Sequence, residues 1–127
     1  MILDIEKVTE KFRLYSGEEL DGAEPGRDGL CRELCGECAV EVMNRVKPEV
    51  LQEEDPEEAG TLESLAAAEA FYQLAALDQA AVPQAVSSAE IKLQLVDRLG
   101  AAGRLRRAKR AACAGLLYED EFYFAVT

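Results

Sequence analysis

Residues 62–77 read Leu62-Glu63-Ser64-Leu65-Ala66-Ala67-Ala68-Glu69-Ala70-Phe71-Tyr72-Gln73-Leu74-Ala75-Ala76-Leu77, and this stretch decides the fold class. Alanine and leucine are the strongest helix formers, and no glycine, proline or β-branched residue interrupts the run. The apolar positions go nearly all the way round a helical wheel. Such a helix is buried on several sides, by its own domain or by a neighbouring subunit. Thr61 reads as its opening residue, and Pro83 closes the region. Phe71, Tyr72, Leu74 and Leu77 are the expected core or subunit-packing residues.

Outward from this helix the chain stays helical. Ile5, Val8, Phe12 and Tyr15 are spaced by three and four, with Asp4 as a cap and Ser16-Gly17 as a stop. A second helix is expected from about Gly29 to Val46, capped by Asp28 and ended by Pro48. On its wheel Cys31, Cys35, Cys38, Val42 and Val46 form one core face, while Glu33, Glu37 and Glu41 lie opposite. Residues 17–28 and 49–60 read as acidic loops, although Pro56-Glu57-Glu58 is a good helix opening. Near 86–96 the pattern changes. Ile91-Lys92-Leu93-Gln94-Leu95 alternates apolar and polar, which reads as a strand or extended arm pairing with another segment or subunit. A last helix is expected from Asp97 to about Tyr118, weakened at Gly100 and Gly103. Phe122-Tyr123-Phe124-Ala125-Val126 reads as a short C-terminal strand whose aromatics need a groove.

The expectation is therefore one mainly α-helical, all-α domain over 1–127. It has about four helices, a short extended segment and a short terminal strand. A chain of 127 residues is one domain in size and buries roughly 65% of its unfolded surface. Hydrophobic residues make up 49% of it and aromatics 6%. That balance suits helices packed through small side chains better than a β-sandwich.

Composition also narrows the chemistry. Histidine is absent, which removes histidine bases, Ser-His-Asp and Cys-His nucleophile systems and His-ligated metals. The net charge is −11, and a surface so acidic repels phosphate backbones. The acid is concentrated early, with 17 acids against 7 bases in residues 1–60 and 8 against 7 afterwards. No signal segment, membrane span or lipidation signal is visible, so the expectation is an intracellular protein with four cysteines as thiols.

Three constellations invite chemistry. Cys31, Cys35 and Cys38 have the C-x3-C-x2-C spacing of the iron–sulfur motif of radical S-adenosylmethionine enzymes. That motif belongs in a loop of a larger α/β barrel, whereas here it lies within a helical pattern. A stripe of small core residues is the preferred reading, with Cys113 packed among alanines. Glu53-Glu54-Asp55 and Glu57-Glu58 lack the spaced ligands and glycine of an EF-hand loop. Arg104, Arg106, Arg107, Lys109 and Arg110 form the basic cluster. It is a solvated helix face or a docking patch for an acidic partner. No phosphate loop or nucleophile elbow is present, and neither a catalytic residue nor a cofactor is expected.

The order of elements resembles that of the small head–tail connector, or head-completion, proteins of tailed bacteriophages and prophages. The residues that carry the likeness begin with a short leading amphipathic helix and the helix from Leu30-Cys31 to Arg45-Val46-Lys47-Pro48. The Ala-rich Leu62–Leu77 helix with Phe71-Tyr72 follows. Next come extended Ser87-Ser88-Ala89-Glu90-Ile91-Lys92-Leu93, another helix and the aromatic end Phe122-Tyr123-Phe124-Ala125-Val126. Ala89-Glu90 stands where related chains often carry glycine. The resemblance implies a non-enzymatic part that forms a ring at the portal vertex and meets portal and tail or adaptor proteins. DNA would be only a passing, non-specific contact, and no membrane is involved. The location would be the bacterial cytoplasm and then the virion. Ile91, Leu93, Leu95, Phe122 and Phe124 join the four aromatic and leucine positions above as expected contact residues. The competing expectation is a small acidic helical adaptor or regulator that dimerises through its Ala-rich helix and binds a protein partner.

Overall fold

The structure, a computed structural model, describes residues 1–82 and 88–118. Among them are five helices: α1 (Ile5–Ser16), α2 (Pro25–Arg45), α3 (Pro48–Glu53), α4 (Pro56–Ala81) and α5 (Ala89–Ala112). The fold is mainly α, as the composition demands.

α1 begins and ends where its sequence says. Asp4 accepts from the Glu6 amide at 2.9 Å, and Gly17 closes the helix at φ 78°, its N–H donating to the Arg13 carbonyl. Val8 and Phe12 point into the core and are fully buried.

α2 starts four residues before the expected Gly29, because Pro25 takes the first helical position, where no N–H is needed. Asp28 is therefore not its cap. Asp28 lies in the first turn and accepts from the Gly22 amide at 2.7 Å, tying the preceding loop to the helix. The expected core face holds, since Cys31, Cys35, Cys38, Val42 and Val46 are all buried. Glu33, Glu37 and Glu41 are exposed.

The second acidic loop is mostly helical. Pro48 both ends α2 and opens α3, whose Val50 is buried. Asp55 then caps α4 by accepting from the Glu57 amide at 2.9 Å. With Pro56 at the first position and Glu57 and Glu58 in the first turn, α4 has a complete start signal five residues before Thr61. Thr61 is an interior residue whose hydroxyl donates to the Glu57 carbonyl.

α4 is the axis of the molecule and packs against α1, α2 and α5. All seven residues from Leu65 to Phe71 are buried. Their side chains are mostly alanine, so three helices can approach closely around one. On α5 the matching small residues are Ala102 and Gly103, both buried. A Cβ on Gly103 would sit 3.5 Å from the Tyr72 ring, which is van der Waals contact with no room beyond.

The extended segment expected near 86–96 is corrected where it is described. Residues 89–96 form the first turns of α5, with the Ser88 hydroxyl accepting from the Ile91 amide at 3.2 Å as the cap. A five-residue alternation fits either period. The longer spacing Lys92, Leu95, Val96, Leu99 is helical, and those side chains share one face beside α4. The helix thus begins eight residues before Asp97, and Gly100 and Gly103 do not break it. The expected strand over 122–126 lies outside the described residues. The extended pairing observed here comes earlier in the chain. Val46 and Leu117 form an antiparallel bridge. The Lys47 amide donates to Leu116 O and the Tyr118 amide to Arg45 O, both at 3.0 Å.

Enlarging an alanine inside this axis tests the packing. Ala67→Leu should cost about 1–3 kcal/mol in urea unfolding, because a well-packed core cannot admit the extra atoms. Leu14→Ala, at an exposed position of α1, should stay within about 0.5 kcal/mol of the parent.

Candidate functional site

The four packing residues expected on the Ala-rich helix separate by position along α4. Phe71 and Leu74 are core residues. Tyr72 is half-buried, with the Arg106 guanidinium 4.6 Å above its ring. Leu77 is 47% exposed. Towards its C-terminal end, α4 therefore emerges from its sheath.

The first turns of α5 lie beside that end. Ile91, Leu93 and Val96 are 48%, 61% and 51% exposed, and Leu95 is half-buried. Between the two helices runs an open groove of about 580 Å³ lined by Ala76, Ala80, Val82, Leu95, Val96 and Leu99, with Lys92 and Gln79 as its polar residues. The size falls within the range of ligand-binding clefts. Of the expected contact residues, Leu95 lines the groove and Leu77, Ile91 and Leu93 are exposed on the two helices that form it. Phe122 and Phe124 lie outside the described residues.

A four-membered charge network holds this end together. Arg27 of α2 donates through Nε to Glu18 at 2.6 Å and through both terminal nitrogens to Asp78 of α4 at 2.9 Å. Arg98 of α5 donates to Asp78 at 2.8 Å and to the Ser16 carbonyl at 3.1 Å, and it lies 5.3 Å from the centroid of the Phe71 ring. Arg27 stands near a helix N-terminus and Asp78 near a helix C-terminus, each the unfavourable sign for its end. Pairing the two across antiparallel helices offsets both penalties. The Arg27 hydrogen bonds hold the Asp78 carboxyl below the usual carboxylate range, outweighing desolvation. The same partners push the Arg27 pKa upward.

The basic cluster on α5 is divided by the helix period. Arg106 and Arg110 turn inward to Glu69, which is only 8% exposed. Arg110 Nε donates to Glu69 Oε1 at 2.7 Å. Arg106 Nε lies 2.9 Å from Oε2 without hydrogen-bond alignment, so that contact is an ion pair. Lys109 sits 5.5 Å from the Tyr15 ring centroid. Arg104 and Arg107 remain exposed. Three of the five cations therefore hold the bundle together, and the five do not form one outward patch.

The cysteines are buried in the core. Desolvation pushes the thiols of Cys31, Cys35 and Cys113 up to about 11 and that of Cys38 up to about 12. They are protonated at neutral pH and poor nucleophiles. Cys113 Sγ lies 3.6 Å from the Thr61 carbonyl, joining the end of α5 to α4. Among the described residues, no group of three or more Cys, Asp or Glu is placed to hold a metal ion.

Sequence reading missed Glu18, Arg27, Asp78, Arg98, Glu63 and Glu69. One signal was available: Glu69 interrupts an otherwise apolar run, and a carboxylate there needs a cation. Glu63 likewise accepts from the Asp4 amide at 2.7 Å, fastening the start of α1 to α4. No helix among the described residues is long and apolar enough to cross a membrane. Comparison with protein-family models, curated proteins and solved structures gives no match.

Two outcomes follow from the charges and thiols. Asp78 has a lowered folded pKa, so its contribution is complete above the unfolded value of about 3.9 and is lost as pH falls through the folded value. Chemical denaturation from about pH 5 to about pH 2 should therefore show a steeper loss for the parent than for Asp78→Asn. Secondly, a thiol-reactive disulfide reagent at neutral pH should modify essentially none of the cysteines in the native protein and all four in denaturant.

Proposed function

We propose that this chain is a structural head–tail connector or head-completion protein of a tailed phage or prophage, oligomerising at the portal vertex and linking capsid to tail. The observation that carries the reading is the apolar end where α4 leaves its sheath. Leu77 near the end of α4 and Ile91, Leu93 and Val96 in the first turns of α5 are large apolar side chains exposed where these two helices meet, and Val96 lines the groove between them. An apolar groove flanked by exposed apolar side chains is what an assembly part offers its neighbours. The order of elements adds support through the leading helix, the proline-terminated α2, the Ala-rich α4 and the following helix.

The role is non-catalytic, and the buried, protonated thiols agree with it. Glu33, Glu37 and Glu41 present acid along the outer face of α2. Such a face suits a channel wall past which DNA slides, because like charge prevents adhesion. Portal and tail or adaptor proteins are the partners, and the host cytoplasm followed by the virion is the location. The adaptor reading, with dimerisation through the Ala-rich helix, is less well served. The alanines from Ala66 to Ala70 are covered by this chain's own helices.

The test has two steps. Sequencing the DNA around the gene should show reading frames for a portal and a major capsid protein upstream and tail genes downstream. Electron microscopy of the protein mixed with that portal should then show an added ring of density on the portal. Neighbouring genes of metabolism or transcription control, with no density added to a portal, would overturn the proposal.

A further inference from the structure

The groove between the end of α4 and the start of α5 has two features that define what would fill it. It is apolar along Leu95, Val96 and Leu99, and it carries Lys92 as its cation. From Lys92 to Leu99 is seven residues, or about 10 Å along a helix, enough for two bulky side chains in line.

The chain itself contains a matching segment. Residues 119–127 follow the described part and read Glu119-Asp120-Glu121-Phe122-Tyr123-Phe124-Ala125-Val126-Thr127. In extended form Phe122, Phe124 and Val126 would project from one side at about 6.6 Å intervals. Three carboxylates precede them, complementary to Lys92.

Geometry keeps Phe122, the first of these anchors, out of the chain's own groove. Tyr118 is tied to Arg45 at the C-terminal end of α2, beside the start of α4. The groove is at the opposite end of α4, some 18 residues or about 27 Å along the bundle. Four residues beyond Tyr118 carry Phe122 no more than about 14 Å. Even fully stretched along the bundle, the segment leaves Phe122 about half-way.

We infer that the segment Phe122–Val126 of one copy seats in the α4–α5 groove of a second copy. Donor segment and acceptor groove lie at opposite ends, so each copy gives and receives through different surfaces. That is a heterologous, head-to-tail contact, which closes into a ring or continues as a filament. The contact goes beyond the proposed function because it needs no portal, and it can fail or hold independently of it.

Sedimentation of the full chain alone provides the test, with two variants. Phe122→Ser/Phe124→Ser disables the donor and keeps the groove. Val96→Glu disables the groove and keeps the donor. The parent should self-associate past the dimer as concentration approaches the millimolar range, and each variant alone should associate at least about tenfold more weakly, as when an anchoring aromatic is removed. An equimolar mixture of the two variants should form a heterodimer, since one intact donor then meets one intact groove. In a second measurement, a peptide of residues 119–127 added to the Phe122→Ser/Phe124→Ser chain should shift amide NMR signals within 76–82 and 92–99. A parent that stays monomeric with no peptide-induced shifts would overturn the inference. So would variants that associate like the parent, and a parent that stops at a closed dimer would overturn the head-to-tail geometry.

Discussion

From Leu65 to Phe71 every residue of α4 is buried. A helix buried all the way round over two turns needs neighbours on every side, and α1, α2 and α5 supply them. Close approach is possible because the buried positions are mostly alanine. Each alanine gives up little hydrophobic burial by itself, but it lets backbones and larger residues such as Phe12, Leu62 and Leu74 meet at van der Waals distance. The cysteine stripe on α2 follows the same rule. Small, weakly polar thiols fill the space beside α4, and their burial makes them chemically quiet.

Packing so tight leaves little space for stray charge, and the carboxylates that enter it have partners, an amide for Glu63 and arginines for the others. Glu69 sits within the buried run and is met by Arg106 and Arg110 of α5. Asp78 lies a little beyond it and is met by Arg27 and Arg98. These two carboxylates fix where α5 lies along α4, one near each half of their contact. Removing a single partner would leave a partly buried charge unpaired, which is costlier than never having had the pair. The network therefore specifies register more than it adds stability. Arg98 also reaches the Ser16 carbonyl at the end of α1, so one side chain links three helices at the end where the groove opens.

The site and the core are two ends of one design. Where α4 is sheathed, its residues are alanine and its neighbours are complete. Where it emerges near Leu77, the sheath gives way to an apolar groove shared with α5. Both walls of the groove are helices, and the Asp78 ion pairs to Arg27 and Arg98 lie just behind it. A preformed surface loses less entropy on association, which is the property the proposed assembly role calls for.

The sequence alone determined the mainly α class, the burial of the Ala-rich helix on several sides, both ends of α1 and the buried face of α2. Each depends on local properties: helix propensity, capping groups at fixed offsets, and a periodicity long enough to be unambiguous. The starts of α2 and α4 were written in Pro25 and in Asp55-Pro56-Glu57-Glu58, but acidic composition made both regions look like loops. Only the tertiary structure decided three things. It made Ile91–Leu95 helical, because five alternating residues satisfy two periods and the contact with α4 selects one. It divided the basic cluster of α5 into three inward cations and two exposed ones, because partners such as Glu69 and Tyr15 are 37 to 94 residues away along the chain. It also opened the groove beside Leu95 and Val96, because a cleft between two helices exists only once their relative placement is fixed.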